Sequence, residues 1–337
     1  MTEPRPLIAI TLGDAAGIGP EVAIKALADQ AVGAACRPLL IGDAAAARRA
    51  AALCRFDCTF DISEAPYTRR EWTVAALPLL NVPSRSGTVP AYGQLSADAG
   101  DAAVRAVGLA IDLALAGDVD AIVTAPLNKE AMRLAGYDYD GHTELLAQRT
   151  GAADVCMMLA GERLRVSHLT GHRALREIAT APRPERLQRV FALTHEGLRR
   201  MGFPKPRIAV AGLNPHAGEG GLFGSEERDV IAPAVARAAS AGFTISGPHP
   251  PDTVFRRAAA GEFDAVVAMY HDQGHIPIKM IEFDSAVNLT LGLPILRTSP
   301  DHGTAFDIAG KGTANPANLI AAIRLAARMA RGDAGAP

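Results

Sequence analysis

Short apolar segments alternate with longer segments of helical pattern along most of this chain. The strand-type segments are Leu7–Leu12, Pro38–Ile41, Ala121–Thr124, Arg207–Ala211 and Ala265–Met269. The helix-type segments are Glu21–Leu27, Ala102–Ala116, Pro184–Met201, Glu226–Ala241 and Ala317–Ala330. This alternation predicts an α/β protein. Because the strand-type segments are apolar almost throughout, we expect a largely parallel sheet with helices on both faces.

Length and charge limit the classes of function. At roughly 150 residues per domain, 337 residues leave room for two domains. Hydrophobic residues make up 49% of the chain and charged residues 21%, which excludes a disordered or collagen-like protein. With 34 basic and 36 acidic side chains the net charge is −2, so no general attraction to nucleic acid or anionic lipid is expected.

Cysteine usage and hydropathy point to a cytoplasmic protein. The four cysteines are too few and too scattered for a disulfide framework, and we interpret them as buried free thiols. The N-terminal segment lacks the basic and apolar regions of a signal peptide. The most apolar helical stretch is interrupted by Asp112 and is shorter than the roughly 20 residues of a membrane span. We therefore expect no membrane association.

Polar residues that suit metals and anions gather after predicted strand ends, where open α/β sheets bind ligands. Taken singly, each histidine there is better explained as a hydrogen-bonded loop or core residue. His168 lies on the strand-type run Leu164–Leu169, so it and His172 are too far apart to share one ion unless the chain bends, and His172 is kept as a candidate at the loop end. Pro277 weakens a helix that would pair His271 with His275. The four segments are Gly141–Glu144, Thr170–Arg173, Leu213–Gly221 and Tyr270–His275.

Candidate anion-binding residues are more dispersed. Phosphate suits donors of this kind, but scattered surface polarity explains them equally well. The chain has neither a Walker A sequence nor a G-x-G-x-x-G fingerprint, so Gly13, Gly17 and Gly19 alone are a weak signal for a nucleotide site. The candidates are His142, Thr143, Lys279, Asn288 and Arg297.

From Gly13 to about Ala330 the chain resembles the 4-hydroxythreonine-4-phosphate dehydrogenase family of vitamin B6 biosynthesis. A further segment, His302–Gly312, is similar to the cofactor loop of isocitrate and isopropylmalate dehydrogenases. That superfamily binds NAD without a Rossmann fingerprint. The segments that carry the family resemblance are Gly13–Glu21, Gly141–Glu144, Leu213–Gly221, Tyr270–Gly274, Asn288–Pro294 and Arg297–Ser299.

The resemblance implies a two-domain α/β subunit with the isocitrate/isopropylmalate dehydrogenase-like fold and its active site in the interdomain cleft. Residues 1–135 and 295–337 would form the first domain, with the cofactor loop at 298–312. Residues 136–294 would form the second domain and carry the metal and substrate residues and the dimer interface. A homodimer with shared active sites is implied, with no nucleic-acid partner.

The resemblance also assigns roles to residues. A divalent metal ion would be held by His172, His216 and His271. Zn²⁺ is favoured because neutral imidazoles suit it, with Mg²⁺ or Co²⁺ as alternatives. The phosphorylated substrate would contact His142, Thr143, Lys279, Asn288 and Arg297. NAD, with NADP as the alternative, would contact His302, Gly303, Thr304, Ala305 and Asp307.

The implied activity is NAD- and metal-dependent oxidation and decarboxylation of a 4-phosphorylated 3-hydroxy acid. Asp252 and Asp272 are candidate bases, and Lys279 is a candidate acid. Two alternatives stay open. One is a dehydrogenase of an unphosphorylated dihydrodiol carboxylate, and the other is a catalytically silent ligand-binding relative that has kept the fold.

Several residues depart from the biosynthetic pattern of this family. Ala15 stands where a proline is expected, and His168, Arg173 and His275 resemble a sister group that oxidises 4-phosphorylated threonate or erythronate. Additional cationic groups would repel the ammonium of the amino substrate, whereas a hydroxyl accepts hydrogen bonds from His275 or Arg173. Asp140, in a nearby motif, belongs to the same set of departures. Together these residues favour the hydroxylated acid over 4-phosphohydroxythreonine.

Overall fold

The structure is a computed structural model that describes residues 5–64, 76–139 and 141–332. Asp140 lies outside the described residues. Contacts divide the chain into two compact units. The described parts of Met1–Ala153 and Leu293–Arg331 form unit 1, and Asp154–Gly292 forms unit 2. The segment that carries His142 and Thr143 thus lies in unit 1, whereas the sequence-based boundary at residue 136 assigned it to the second domain.

Unit 1 alternates strands and helices. Its strands are β1 (Leu7–Thr11), β2 (Arg37–Gly42), β3 (Thr59–Ser63), β4 (Ala76–Asn81), β5 (Ala121–Thr124) and, late in the chain, β12 (Arg297–Pro300). Its helices are α1 (Gly19–Leu27), α2 (Gln30–Ala35), α3 (Ala44–Leu53), α4 (Ala97–Ala116), α5 (Lys129–Leu134), α6 (His142–Thr150) and α12 (Ala317–Arg331).

The strands of unit 1 form a parallel sheet in the order β3-β4-β2-β1-β5-β12. Strand β1 is buried along its whole length, since β2 and β5 flank it and α4 and α12 pack on it. Helix α4 is capped by the Ser96 side chain and ends at Gly117, which has a φ of 77°. The expectation of buried parallel strands under helices is confirmed here.

Unit 2 has the second set of elements. Its strands are β6 (Cys156–Ala160), β7 (Arg165–His168), β8 (Arg207–Ala211), β9 (Thr244–His249), β10 (Ala265–Ala268) and β11 (Val287–Leu291). Its helices are α7 (Leu175–Ile178), α8 (Pro184–Arg200), α9 (Ala232–Ser240), α10 (Pro251–Ala259) and α11 (His271–Glu282). A turn of mainly left-handed backbone at Pro215–Gly221 and a π-helical turn at Glu227–Ile231 follow β8.

The sheet of unit 2 has the order β11-β6-β7-β10-β8-β9. Strand β6 pairs antiparallel with β7 and β11, and the remaining pairs are parallel. The antiparallel pair β6–β7 follows from its short connection, since parallel neighbours need a long crossover. Strands β7, β10 and β8 are parallel, so the loops that follow them lie at the same edge of this sheet, and helices α10 and α11 pack on β10.

Proline accounts for two differences between the predicted and observed helices. The predicted helix Glu226–Ala241 is divided into a π turn and α9, because Pro233 cannot donate the backbone hydrogen bond of a continuous helix. The prediction that Pro277 weakens the helix after His271 is wrong. Helix α11 runs through Pro277, and Ile278, buried in the unit 2 core, offsets the lost hydrogen bond.

Two sequence-based expectations concern the cysteines and the possibility of a membrane-spanning helix. Cys36 and Cys156 are buried, whereas Cys54 and Cys58 are half-buried, and all four are free. Within the described ranges, no helix is both long enough and apolar enough to cross a bilayer.

Candidate active site

The predicted site residues are divided between the two units. Unit 1 holds His142, Thr143, Arg297 and the loop with His302, Gly303, Thr304, Ala305 and Asp307. Unit 2 holds His172, His216, His271, Lys279, Asn288, Asp252 and Asp272. Each set is described within its own unit.

Arg297 is a fully buried cation in unit 1. It begins β12, and its Nε and Nη2 atoms donate to Thr124 Oγ1 at 3.1 and 2.7 Å. Burial lowers the pKa of Arg297 to about 9, and the charge of Glu144 opposes this shift. The side chain therefore stays positively charged at neutral pH. A buried cation beside a neutral hydroxyl is a strong binding group for a phosphate or carboxylate.

His142 lies close enough to Arg297 to feel its charge. It is the first residue of α6, and Thr143 follows it in the first turn of the same helix. Its Nε2 atom is buried and has no hydrogen-bond partner among the described residues. Burial, and then the charge of Arg297, lower the pKa of His142 well below its usual value, so the ring is neutral. An unpaired buried nitrogen of this kind suits a ligand atom.

The glycine-rich turn after β1 packs directly on the predicted cofactor loop. Ile18 N donates to Thr304 O at 3.0 Å, and a Cβ at Gly17 would lie 2.8 Å from both Cβ and O of Thr304. Only glycine permits this approach. At the other end of the loop, Lys25 Nζ donates to Gly312 O at 2.9 Å and to Ala314 O at 2.8 Å. Residues 13–25 therefore shape the predicted cofactor loop. In the sequence, the glycines of this segment gave only a weak signal for a nucleotide site.

The residues of this predicted cofactor loop differ in burial and backbone conformation. Ala305 has a φ of 41°, a left-handed conformation that side chains rarely adopt. The His302 Nε2 atom is buried without a hydrogen-bond partner in the described chain, whereas Gly303 borders open space and Asp307 is exposed. The strained backbone and the unpaired nitrogen fit a loop shaped for a ligand.

Asp14 is a residue that sequence reasoning missed as a candidate. It is fully buried in the glycine-rich turn, its Oδ1 atom accepts from Ala16 N at 2.8 Å, and its Oδ2 atom has no partner among the described residues. Burial raises the pKa of Asp14 to about 6 despite the hydrogen bond from Ala16. An acidic residue inside a glycine turn was the only sequence signal.

In unit 2, His216 lies in a strained turn after β8. Residues 216–220 all have φ between 44° and 78°, although His216, Ala217 and Glu219 are not glycines. The buried Glu227 carboxylate organises this turn. Its Oε1 atom accepts from the backbone nitrogens of Leu213 and Asn214, both at 2.7 Å. His216 is exposed, and strained backbone of this kind is common in ligand-binding loops.

Substituting Glu227 tests how this turn is held. Glu227→Gln introduces an amide that repels one of the backbone or side-chain donors, so we expect a loss of roughly 2 kcal/mol in the free energy of unfolding. Urea unfolding measures the loss. Glu226→Gln is the matched control, because Glu226 accepts only from the Asn214 side chain in the described contacts and is less buried. Equal stability of the Glu227→Gln and Glu226→Gln variants would contradict the role of Glu227.

Four histidines meet at the carboxyl ends of β7 and β10. The ring centroid of His271 lies 5.0 Å from His172, 6.3 Å from His168 and 3.6 Å from His275. The structure thus brings together the predicted ligands His172 and His271, and it adds two histidines that sequence reasoning set aside. His216 instead has its ring contact with Phe223, at 6.4 Å.

These rings are not arranged as a complete metal site. In the part of the chain that the structure describes, no three His, Cys, Asp or Glu residues are placed to hold one ion. The chemistry of the donors nevertheless fits a transition metal. His271 Nδ1 pairs with Asp272 Oδ1 at 2.7 Å, an arrangement that presents Nε2 outward and is typical of metal-binding histidines.

The other predicted residues of unit 2 lie around this cluster. The hydrogen bond from His271 lowers the pKa of the exposed Asp272 carboxyl, so Asp272 orients the imidazole and is a weak base. Lys279 lies further along α11, and Asp252 is in the first turn of α10. Asn288 Nδ2 donates to Met157 Sδ at 3.5 Å, whereas its Oδ1 atom is buried with no partner in the described residues.

Comparison with known proteins identifies the family. A sequence model described as "Pyridoxal phosphate biosynthetic protein PdxA" matches residues 34–326. This chain belongs to the PdxA family. Within the family it is 50% identical to a 4-hydroxythreonine-4-phosphate dehydrogenase of Desulforapulum autotrophicum, over 98% of this chain and 97% of the relative. It is also 47% identical to a D-threonate 4-phosphate dehydrogenase of Cupriavidus necator, over 98% and 99%.

A solved PdxA-family structure has the same fold. The crystal structure of a 4-hydroxythreonine-4-phosphate dehydrogenase from Klebsiella pneumoniae matches with a TM-score of 0.87 and 46% identity, covering 96% of this chain and 99% of that one. The predicted family and the α/β class are confirmed. As a PdxA-family dehydrogenase, the protein is an oxidoreductase that acts on a CH–OH group.

Proposed function

We propose that this PdxA-family enzyme oxidises and decarboxylates a 4-phosphorylated 3-hydroxy acid with NAD and a divalent metal ion. The buried Arg297 cation beside the unpaired His142 Nε2 is the observation that carries the proposal. An anionic substrate suits this arrangement, because a buried guanidinium binds a phosphate or carboxylate strongly and His142 Nε2 has no hydrogen-bond partner among the described residues. The names of the relatives, which specify phosphorylated acids, agree with an anionic substrate.

The residues of this chain supply binding and orientation. Arg297, His142 and Thr143 hold an anionic group of the substrate, and Asn288 Oδ1 accepts a hydrogen bond from its hydroxyl or amino group. The metal ion would be held by His172, His216 and His271, with Asp272 fixing the His271 ring. When bound, the ion polarises the substrate oxygens and NAD accepts the hydride.

Proton movement is assigned to Asp252 and Lys279. The substrate hydroxyl loses its proton as its carbon is oxidised, and a carbon must gain a proton after carbon dioxide leaves. Asp272 is a poor base because its pKa is lowered by His271, so Asp252 is the stronger candidate to take the first proton. Lys279 is the candidate to supply the second.

Two substrates are considered for this enzyme: 4-phosphohydroxythreonine, which carries an amino group, and 4-phosphothreonate, which carries a hydroxyl in its place. Arg173 follows the predicted ligand His172, and its charge disfavours a substrate ammonium. His275 contributes differently from the sequence-based expectation, because its Nδ1 atom is 3.1 Å from His168 Nε2 and 3.1 Å from His271 O. The preference for a hydroxylated acid therefore rests on Arg173.

Side-by-side kinetics test this preference. We expect purified enzyme with NAD and Zn²⁺ or Mg²⁺ to form NADH from 4-phosphothreonate with kcat/KM roughly 10-fold or more above that for 4-phosphohydroxythreonine. The Arg173→Met substitution should reduce this difference in kcat/KM between the two substrates, because it removes the charge that disfavours the ammonium. The opposite preference would assign the enzyme to the amino substrate, and no NADH from either compound would overturn the proposed reaction.

A homodimer with shared active sites is part of the proposal. Helix α11 exposes Ile276 and Met280, with Phe283 directly after it, at 58%, 83% and 72% exposure. A cavity of about 840 Å³ between α10 and α11 continues this apolar surface. Large apolar side chains grouped on one helix of a soluble protein are typical of an interface with another protein.

Mixing two inactive variants tests whether the sites are shared. We expect His216→Ala and His271→Ala proteins, each inactive alone, to regain part of the activity after subunit exchange, because a heterodimer restores one complete site if His271 serves the partner. Labelled subunits confirm the exchange. Activity that stays absent in confirmed heterodimers would place all three ligands within one chain.

A further inference from the structure

His168 and His275 form a buried pair behind the predicted metal ligand His271. His168 ends β7 and is 2% exposed, and His275 lies one turn along α11 from His271 and is 7% exposed. His168 Nε2 is 3.1 Å from His275 Nδ1. The His275 ring stacks on the His271 ring at 3.6 Å between centroids with 11° between the planes. The chain of contacts therefore runs from the core to the predicted ligand.

Gly274 brings helix α11 close enough for this pairing. A Cβ at this position would lie 2.4 Å from His168 Nε2, 2.7 Å from Val166 Cγ1 and 3.1 Å from Ala268 Cβ. Glycine inside a helix costs roughly 1 kcal/mol relative to alanine. The close approach of α11 to β7 is the structural reason for a glycine here.

The hydrogen bonds define one tautomer for each ring. Met157 O, at 3.4 Å from His168 Nδ1, can only accept, so Nδ1 carries the hydrogen and His168 Nε2 is an acceptor. His275 Nδ1 then donates to His168 Nε2 and shares this hydrogen with His271 O at 3.1 Å. Because both partners bind the same edge of the His275 ring, the plane of that ring is fixed.

Stacking excludes His275 as a second ligand of the ion held by His271. An imidazole binds a metal in its own ring plane, with Zn–N about 2.0–2.1 Å. The two rings are nearly parallel and 3.6 Å apart, so one ion cannot lie in both planes. His275 contacts the face of the predicted ligand and acts through it.

We propose that His168 and His275 are positioning residues that fix the ring plane of His271, an inference that rests on the proposed role of His271 as a metal ligand. Asp272 holds the edge of the His271 ring and His275 holds its face. Together they restrict the direction of the Nε2 lone pair. A partner that orients a metal-binding histidine typically changes metal affinity by about 10–100-fold.

Cobalt titration of the metal-free protein tests the proposal, because the visible d–d bands of Co²⁺ report the geometry of its ligands. We expect His275→Leu to weaken Co²⁺ binding by roughly 10–100-fold and to shift these bands. His275→Phe keeps an aromatic face against His271 and should lie nearer to the unsubstituted protein. His195→Leu is the matched control, since His195 stacks on Phe243 at 4.6 Å elsewhere in unit 2.

The outcomes separate this inference from the proposed metal site. If His271→Ala abolishes binding but His275→Leu keeps the affinity and spectrum of the unsubstituted protein, the pair only packs the core and the positioning role is wrong. If His271→Ala binds Co²⁺ normally, the metal assignment fails and the positioning role fails with it. Imidazole ¹⁵N spectra of the unsubstituted protein need no variant, and a His275 protonated on Nε2 alone would also overturn the proposal.

Discussion

Arg297→Met is expected to lower kcat/KM for the phosphorylated substrate by about 100-fold, or roughly 3 kcal/mol. The substitution removes a buried cation whose described hydrogen bonds go to Thr124 Oγ1, so the substrate anion would lose its charged donor. Steady-state kinetics measure the change, and most of it should appear in KM, because an anion is bound equally before and during the reaction. Arg297→Lys should recover only part of the loss, since an ammonium cannot form the planar fork.

Stability separates this effect from misfolding. Replacing a buried charge by an apolar side chain of similar volume is often neutral or stabilising, so the Tm of Arg297→Met should not fall. Arg165→Met is the matched control, because Arg165 is also buried, begins β7 and stacks on Phe203 at 4.8 Å. Its kcat/KM should be unchanged. If the Arg297→Met variant has normal kinetics, Arg297 does not bind the substrate.

His271→Ala is expected to lower kcat by roughly 1000-fold or more, equivalent to about 4 kcal/mol, and to remove most of the bound metal. If His271 is a metal ligand, as proposed, its loss removes the polarising ion. The variant should still fold, because His271 is a half-exposed residue at the start of α11. Metal analysis of the purified protein and turnover with saturating NAD measure the two effects. His172→Ala and His216→Ala should behave in the same way.

Asp272→Asn is the graded comparison for this experiment. An amide can still contact His271 Nδ1 but lacks the charge, so an intermediate loss of about 10-fold in activity is expected. His195→Ala controls for the removal of a histidine from unit 2. Any of the three predicted ligands whose alanine variant keeps both metal and turnover is instead an ordinary loop residue.

Local sequence pattern determined the elements whose cause is local. Strand β1 and helix α1 were predicted from the apolar run Leu7–Leu12 and from the helical pattern of Glu21–Leu27, and the structure has them at Leu7–Thr11 and Gly19–Leu27. The strands β3, β4, β6, β9, β11 and β12 were not identified. Several of these, such as β3, are short and half-exposed, so neighbouring strands rather than their own pattern select the extended conformation.

Tertiary packing decided the features that oppose local preference. Helix α11 continues through Pro277 because Ile278 is buried in the core of unit 2, an interaction that the sequence around Pro277 does not reveal. Likewise, the sequence suggests that Gly17 is an ordinary turn glycine. The structure shows that a Cβ at this position would lie only 2.8 Å from Thr304. In both cases the deciding partner is distant in the chain.

The chemistry of the site divides along the same line. The sequence alone determined the residue types and the family. Motifs such as Gly141–Glu144 and Tyr270–His275 are contiguous, so they can be recognised without a three-dimensional structure. The His168–His275 pair joins residues 107 positions apart. It exists only because β7 lies beside β10 in the sheet and α11 packs across both strands. A contact that depends on strand order has no signature in local sequence, so only the tertiary structure decided it.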